Sequence, residues 1–378
     1  MTFNRRQFFE LGAGAAAALY GPGLAPAEAA ALASLDTIAR AHGRRFGTCL
    51  GTRTGGFSDP RYLDLVRAQC GIIVPENELK WGWLRRTPNS FDFDAADRLM
   101  AFAVKSGLAM RGHNLLWHHP EWMPAWVASH DFGARPAAEA ERMIRQHVAT
   151  VCRRYPRILS WDVVNEAVDN RTGELRETAF SRAMGGAEPV LDLAFHAARQ
   201  AAPHAQLVYN DYMSFEAGNA PHRDGVLRLL EGFRRRRVPV DALGIQSHIG
   251  PNRQGEGGFG GAGARDWRSF VDAVVGMGYK LLITELDVGD RLLPADIAAR
   301  DQAVADYARP YLEMMLGYEQ LGDVLVWGLS DRYSWLRKRE PRADALPKRP
   351  CPYDEDLRPK AFRQTIAAAL GSARPHRS

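Results

Sequence analysis

Short apolar stretches alternate with amphipathic helical patterns along almost the whole chain, and this alternation restricts the fold more than any other feature. Strands that alternate with helices form parallel sheets, and eight such units close a (β/α)8 barrel. The predicted strands are residues 45–50, 71–74, 109–114, 160–165, 206–210, 242–246, 280–285 and 324–327, and helical patterns include 138–155, 190–201, 224–236, 266–277, 296–316 and 359–370. The sequence therefore predicts an α/β fold of the TIM-barrel type in a single domain.

The competing architecture is a doubly wound open sheet, which usually carries a glycine-rich phosphate turn after its first strand. No GxGxxG motif follows any predicted strand. Nearly every strand instead ends in polar or aromatic side chains, which a barrel gathers at its C-terminal face. These strand ends carry Glu76, Asn77, His113, Asn114, Asn165, Glu166, Asn210, Asp211, Gln246, His248, Glu285, Asp287, Trp327 and Asp331.

Residues 1–33 resemble a twin-arginine export signal that is removed from the mature protein. Arg5 and Arg6 precede a mild apolar run, and small A-x-A sites such as residues 27–29 follow it. The run of about ten residues is well short of the roughly 20 that span a bilayer. We therefore expect a mature domain of residues 34–378 that is periplasmic or secreted and does not associate with a membrane after processing.

Composition narrows the range of partners. The 49 basic and 44 acidic residues give a net charge of only +5, and they are dispersed along the chain, which argues against nucleic-acid binding. Four cysteines without CxxC spacing are too few for a disulfide scaffold, so we interpret them as buried apolar residues and leave one disulfide open. We expect a monomer.

Two of the predicted strands end in a glutamate. One runs from Trp161 to Glu166, and the other runs through Leu281 and Leu282 to Glu285. In a barrel both carboxyl groups reach the same mouth, and a pair held about 5 to 5.5 Å apart suits double-displacement hydrolysis of a glycoside. One carboxyl must stay ionised while the other is held protonated. A single glutamate at a strand end is usually a surface residue, but its coincidence with the other polar strand ends predicts an active site.

Seven motifs in order show that the chain, from about residue 46 to 370, resembles the glycoside hydrolase family 10 endo-1,4-β-xylanases, which are retaining (β/α)8-barrel enzymes. The motifs are PENELKW at 75–81, GHNLLWH at 112–118, WDVVNE at 161–166, NDY at 210–212, QSH at 246–248, TELD at 284–287 and WGLSDRYSW at 327–335. The resemblance implies hydrolysis of internal xylan bonds without a cofactor or metal, by residues 34–378 as the catalytic domain.

The same resemblance assigns roles to individual residues. It implies that Glu166 is the acid/base, that Glu285 is the nucleophile, and that Asp287 holds the His248 ring that hydrogen-bonds Glu285. Sugar rings offer hydroxyl edges and apolar faces, so they require fixed polar side chains beside aromatic platforms. The substrate-binding residues so implied are Glu76, Asn77, Lys80, His113, Trp117, Asn165, Tyr212, Gln246, His248, Trp327 and Trp335.

A basic stretch lies close in sequence to Trp335. Residues 337–349 carry six Lys or Arg side chains against Glu340 and Asp344. One hypothesis is that this loop favours xylan with acidic substituents, and the simpler interpretation is a solvated, mobile loop.

Three rival functions remain open at this point. A β-1,4-glucanase needs the same two carboxylates and stacking tryptophans. A metal hydrolase would use His113, His118, His119 and His248, although no HExxH or similar spacing occurs. A non-catalytic glycan-binding protein would keep the groove without turnover.

Overall fold

The computed structural model describes residues 33–251 and 258–377. The predicted export signal lies outside the described residues, apart from Ala33. Residues from Ser34 onward form one unit.

All strands of the described residues pair in parallel and close into a barrel. Eight of them form the wall, closed by the pairing of β1 with β9 and of β6 with β8. The strands are β1 (Phe46–Leu50), β2 (Ile72–Pro75), β3 (Ala109–Trp117), β4 (Ser160–Asn165), β5 (Gln206–Asp211), β6 (Ala242–Ile245), β7 (His248–Ile249), β8 (Lys280–Val288) and β9 (Leu321–Val326). The predicted barrel is confirmed.

The sixth predicted strand differs from the observed one in a way that matters for the site. Residues 242–246 were predicted as one strand, but β6 ends at Ile245 and the two-residue strand β7 resumes at His248. Ser247 lies between them with a φ of 63°, a left-handed conformation that interrupts the strand. The short β7 pairs with β8 through His248 and Asp287.

Helices connect the strands and cover the outside of the barrel. Their first turns follow the expected chemistry: Pro60 and Pro136 begin α2 and α6, and the Asp59 and Asp296 side chains cap α2 and α11. The helices are α1 (Leu35–Arg40), α2 (Pro60–Gln69), α3 (Trp81–Leu84), α4 (Asp94–Lys105), α5 (Ala125–Ala128), α6 (Pro136–Arg154), α7 (Ala179–Met184), α8 (Ala187–Ala201), α9 (Ala220–Arg236), α10 (Gly261–Gly276), α11 (Ile297–Leu316) and α12 (Ala361–Gly371).

The core lies between the strands and the inner faces of the helices. Strands β1, β2, β4 and β6 are buried along their whole length, as expected when helices cover a parallel sheet. All four cysteines are buried and free, which confirms their apolar interpretation. Among the described residues, no helix is both long and apolar enough to cross a membrane.

Candidate active site

The two predicted glutamates lie at the C-terminal face of the barrel, on β8 and directly after β4. Glu285 is inside β8 and only 5% exposed. Glu166 follows the last residue of β4 with a φ of 53°, a conformation that costs a non-glycine residue on the order of 1 kcal/mol. Its backbone N–H donates to the carbonyl of Asn210 at 2.9 Å, which fixes this turn against β5.

A chain of amide side chains joins the two carboxylates. The Asn210 Nδ2 donates to Glu285 Oε1 at 2.8 Å and to Asn165 Oδ1 at 2.9 Å. The Asn165 Nδ2 in turn donates to Glu166 Oε1 at 3.1 Å. Thr284 Oγ1 donates to Asn210 Oδ1 at 2.7 Å, so the bridging amide is held at both ends. The carboxylates therefore belong to one fixed polar network.

Glu285 is surrounded by cationic and hydrogen-bonding groups. His248 Nε2 lies 3.2 Å from Glu285 Oε2, and His248 Nδ1 lies 3.0 Å from Asp287 Oδ1. Burial alone would raise the pKa of Glu285, but attraction to His113, the His248 hydrogen bond and charge, and the charge of Lys80 outweigh it and lower that pKa to about 2. Glu285 is therefore ionised at any ordinary pH.

The carboxylates of Asp287 and Glu285 stabilise the protonated form of the His248 ring. Burial opposes protonation of the ring, but the charge of Asp287 and the hydrogen bonds to Asp287 and Glu285 raise the pKa of His248 to about 10. Asp287 is also held from its other side, because Trp335 Nε1 donates to Asp287 Oδ2 at 2.7 Å. An imidazolium thus lies beside the Glu285 carboxylate at neutral pH.

Glu166 has the opposite electrostatic character. Burial raises its pKa above 4.5, and the negative charges of Asp211 and Glu285 raise it further. Hydrogen bonds from Gln246 Nε2 to Oε1 at 2.8 Å and from Trp117 Nε1 to Oε2 at 3.0 Å act against this rise without cancelling it. The site therefore holds one carboxyl whose pKa is raised beside one that stays ionised.

A second polar group adjoins the glutamates on β2 and its following loop. Lys80 Nζ donates to Asn77 Oδ1 at 3.0 Å and stands 4.7 Å from the centre of the Trp117 ring. Glu76 is buried, and burial raises its pKa to about 7 against the attraction of Lys80. These three predicted residues are thus brought together, with polar atoms that can bind hydroxyl groups.

His113 joins the same site from β3. Its Nδ1 lies 2.9 Å from Asp162 Oδ2 and 3.9 Å from Glu285 Oε1. Asp162 also receives a hydrogen bond from the buried Arg111 at 2.6 Å. The ring position of His113 is therefore set by a buried carboxylate on the neighbouring strand.

Aromatic rings form the apolar part of the site. Trp327 packs edge-on against His113 with ring centres 5.4 Å apart, and Trp335 lies 5.0 Å from His248. Trp117 stacks on Trp122 at 5.1 Å and 17°. Trp122 is 51% exposed, so this pair presents an open aromatic surface next to Glu166. Such surfaces suit the apolar faces of sugar rings.

The other predicted residue, Tyr212, follows β5, and its hydroxyl accepts a hydrogen bond from Arg176 at 2.8 Å. Arg176 also donates to the carbonyl of Glu166 at 3.2 Å, so Tyr212 is linked to the site through this guanidinium. His118, named for the metal alternative, is buried with Nε2 bonded to the Arg176 carbonyl. Within residues 33–251 and 258–377, no three His, Cys, Asp or Glu side chains are grouped to hold a metal ion.

The basic loop differs from its predicted solvated form. Arg342 and Lys348 are buried, and Arg342 is paired with Asp344 at 2.7 Å. Arg349 is paired with Asp301 at 2.6 Å. Half of the six cations are therefore used inside the fold, which a count of charges along the sequence could not reveal.

Three contributors to the site have no role assigned by the sequence motifs: Asn210, Asp162 and Trp122. Asn210, near the end of β5, and Asp162, within β4, lie inside the NDY and WDVVNE motifs, and their place in these motifs is the signal that the sequence offers. Trp122 lies outside every motif and could be found only from its contact with Trp117.

A closed parallel barrel whose C-terminal face carries two oppositely tuned carboxyl groups among tryptophans defines a glycoside hydrolase of the (β/α)8 class. The model of glycosyl hydrolase family 10 matches residues 34–369. The chain belongs to this family.

Relatives and solved structures agree with this assignment. The chain is 32% identical over 339 residues to endo-1,4-beta-xylanase 3 of Hypocrea jecorina, covering 89% of this chain and 86% of that protein. The structure of native xylanase 10B from Thermotoga maritima matches with a TM-score of 0.77 and 26% identity, covering 89% of this chain and 98% of the other. Xylanase 10B from Thermotoga petrophila RKU-1 in complex with xylobiose matches with a TM-score of 0.78 and 25% identity, over 89% and 97%.

Proposed function

We propose that this protein is an endo-1,4-β-xylanase that hydrolyses internal β-1,4-xylosidic bonds of xylan with retention of configuration. The observation that carries the proposal is the opposite tuning of the two carboxyls: the pKa of Glu285 is lowered to about 2 and that of Glu166 is raised. A retaining glycosidase needs this pair, an ionised nucleophile and a protonated acid. Relatives named as xylanases and a similar structure with bound xylobiose support xylan as the substrate.

In the first step, a Glu285 carboxylate oxygen attacks the anomeric carbon while the bond to the leaving oxygen breaks. Glu166 gives its proton to that oxygen, so the leaving sugar departs as a neutral alcohol. In the second step, Glu166 removes a proton from water as the water oxygen attacks the anomeric carbon. The bond from the anomeric carbon to Glu285 breaks as the water oxygen attacks, which leaves Glu285 ionised and Glu166 protonated, as at the start.

The neighbouring residues position these two groups and the sugar. Asn165 touches Glu166 and, in our proposal, bonds the sugar 2-hydroxyl as the transition state forms. His248, oriented by Asp287, holds the Glu285 carboxylate in line with the anomeric carbon. The remaining proposed binding residues supply hydroxyl contacts or ring faces: Glu76, Asn77, Lys80, His113, Gln246, Tyr212, Trp117, Trp327 and Trp335.

We further propose that residues 1–33 direct export by the twin-arginine route and are removed, leaving a monomeric domain of residues 34–378 in the periplasm or outside the cell. The arginine pair, the short apolar run and the A-x-A sites support this. Replacement of both Arg5 and Arg6 by Lys should retain the full-length chain inside the cell. N-terminal sequencing of the exported wild-type chain should find a start near residue 34, and an exported Lys variant would refute the route.

The release of reducing ends from soluble xylan by the mature chain tests the main proposal. Glu285→Gln keeps the shape but removes the nucleophile, so we expect activity to fall by several orders of magnitude. Glu313→Gln, on the exposed face of α11, should leave it unchanged. Full activity in Glu285→Gln would contradict the assigned nucleophile.

The same assay separates the rival functions. Faster cleavage of carboxymethylcellulose than of xylan would favour a β-1,4-glucanase. Xylan binding by the folded wild-type chain without any release of reducing ends would favour a glycan-binding protein. Loss of activity after treatment with a chelator would favour the metal hydrolase.

A further inference from the structure

Two arginine side chains lie over the ring of Trp83, a half-buried tryptophan outside the predicted site. The guanidinium carbon of Arg53 lies 4.6 Å from the centre of the Trp83 ring, and that of Arg86 lies 5.9 Å from it. Arg53 belongs to the loop after β1, whereas Trp83 and Arg86 belong to α3 and the turn after it. Both arginines are exposed. Two like charges thus share one aromatic ring, an arrangement in which they repel each other.

Neither guanidinium has a counter-ion in the part of the chain that the structure describes. Glu76 and Glu78, the acidic residues that precede α3, interact with other groups. Glu78 accepts hydrogen bonds from Thr52 at 2.6 Å and from the backbone N–H of Asn77 at 3.0 Å. The carboxyl of Glu76 is buried and interacts with Lys80. The charges of Arg53 and Arg86 are therefore available to pair with an anion from outside the protein.

The cluster adjoins the polar group of the active site. Residues 51–54 pack on that group, since a methyl group on Gly51 would lie 2.4 Å from Glu76 Oε2 and Thr52 binds Glu78. Trp83 lies three residues after Lys80, about one helical turn along α3. Trp83 is therefore connected to the Glu76, Asn77 and Lys80 group in two ways, along α3 and through the loop that carries Arg53.

We propose that Trp83, Arg53 and Arg86 form a distal subsite that binds a xylan segment carrying a uronic acid substituent. The proposal rests on the proposed function and names the substrate class within it. The indole ring offers a platform for a sugar face, and a guanidinium binds a carboxylate through paired N–H donors. The basic loop at 337–349 is the weaker candidate, because Arg342, Lys348 and Arg349 are used inside the fold.

The experiment compares 4-O-methylglucuronoxylan with the same polymer after chemical reduction of its carboxyl groups, so that the two substrates differ only in whether each substituent carries a carboxylate or a neutral hydroxymethyl group. The measured quantity is the ratio of kcat/KM for the acidic polymer to that for the neutral one at low salt. An exposed ion pair contributes up to about 1 kcal/mol, about fivefold per pair. The double variant Arg53→Gln/Arg86→Gln should therefore lower the ratio about three- to tenfold without changing kcat/KM on the neutral polymer.

Two further measurements sharpen the result. Addition of about 0.5 M NaCl, which shortens the Debye length to a few Å, should reduce the wild-type ratio toward that of the double variant and leave the variant unchanged. Trp83→Ala should lower kcat/KM on both polymers. Arg234→Gln/Arg235→Gln is the matched control: it removes two exposed arginines, one of them 5.9 Å from the Tyr279 ring, near the start of β6. It should keep the wild-type ratio.

The inference is overturned if the double variant keeps the wild-type ratio, or if the control loses it equally. It is also overturned if only Arg339→Gln lowers the ratio, since Arg339 stands 4.8 Å from the Trp335 ring and represents the basic loop. A wild-type chain that cleaves the neutral polymer without preferring the acidic one refutes this subsite alone. A folded wild-type chain that cleaves neither polymer refutes the proposed function as well.

Discussion

Replacement of Asp287 by Asn should lower the pKa of His248, so that its ring loses its charge at mildly alkaline pH. The rise in the His248 pKa from 6.5 to about 10 corresponds to a preference for the imidazolium of about 5 kcal/mol. The charge of Asp287 is the largest contribution that favours protonation, and its hydrogen bond follows. Burial then opposes the remaining attraction of Glu285 alone. We expect the His248 pKa to fall below about 8.

The geometry makes this variant informative. Asp287 accepts one hydrogen bond at each oxygen, from Trp335 Nε1 at 2.7 Å and from His248 Nδ1 at 3.0 Å. Asn has one acceptor, so if it keeps the Trp335 bond it presents an N–H to the histidine. The ring then accepts at Nδ1 and donates from Nε2 to Glu285 as a neutral imidazole, which preserves the hydrogen bond but removes the positive charge.

Two measurements test the protonation state of His248 in the Asp287→Asn variant. The ¹⁵N chemical shifts of labelled histidine give the pKa of His248 directly, and kcat/KM on soluble xylan gives the consequence. Since deprotonation removes a cation beside Glu285, activity of Asp287→Asn should fall as the pH rises through the new His248 pKa. This fall should come at a lower pH than any loss that the wild type shows from His248.

Trp335→Phe is the control, because it removes the indole donor and keeps both charges. Its overall activity should drop with the loss of the ring contact, but His248 should stay protonated past pH 9. The reasoning is refuted if His248 in Asp287→Asn is still protonated at pH 9, or if Trp335→Phe lowers its pKa equally.

Two other predictions concern the acid/base and the barrel wall. Trp117→Phe removes a hydrogen bond that favours the ionised form of Glu166, so the alkaline limb of kcat/KM against pH should move to higher pH; an unchanged or lower limb would contradict this. Gly112→Ala should lower the free energy of unfolding by at least about 1–3 kcal/mol, because its Cβ would lie 2.0 Å from Trp161 Cε3. Gly276→Ala meets nothing within 4 Å and should be neutral or stabilising, as measured by urea unfolding; equal midpoints for the two variants would contradict the packing argument.

The sequence by itself determined the architecture and the location of the chemistry. Strand and helix patterns are local, since each depends on the spacing of apolar residues within one segment. Eight repeated β/α units are typical of a closed parallel barrel. Parallel strands bring their carboxyl ends to one face, so the sequence alone predicts that the strand-end residues Glu166 and Glu285 lie there.

Only the tertiary structure decided which groups touch and what charge they hold. The Asn210 bridge between the carboxyl networks, the Trp335 bond to Asp287 and the inward turn of Arg342 each join residues that are distant in sequence. Burial and neighbouring charge set a pKa, and both depend on three-dimensional distance rather than on residue type. Glu166 and Glu285 have the same side chain, but their surroundings shift their pKa values in opposite directions.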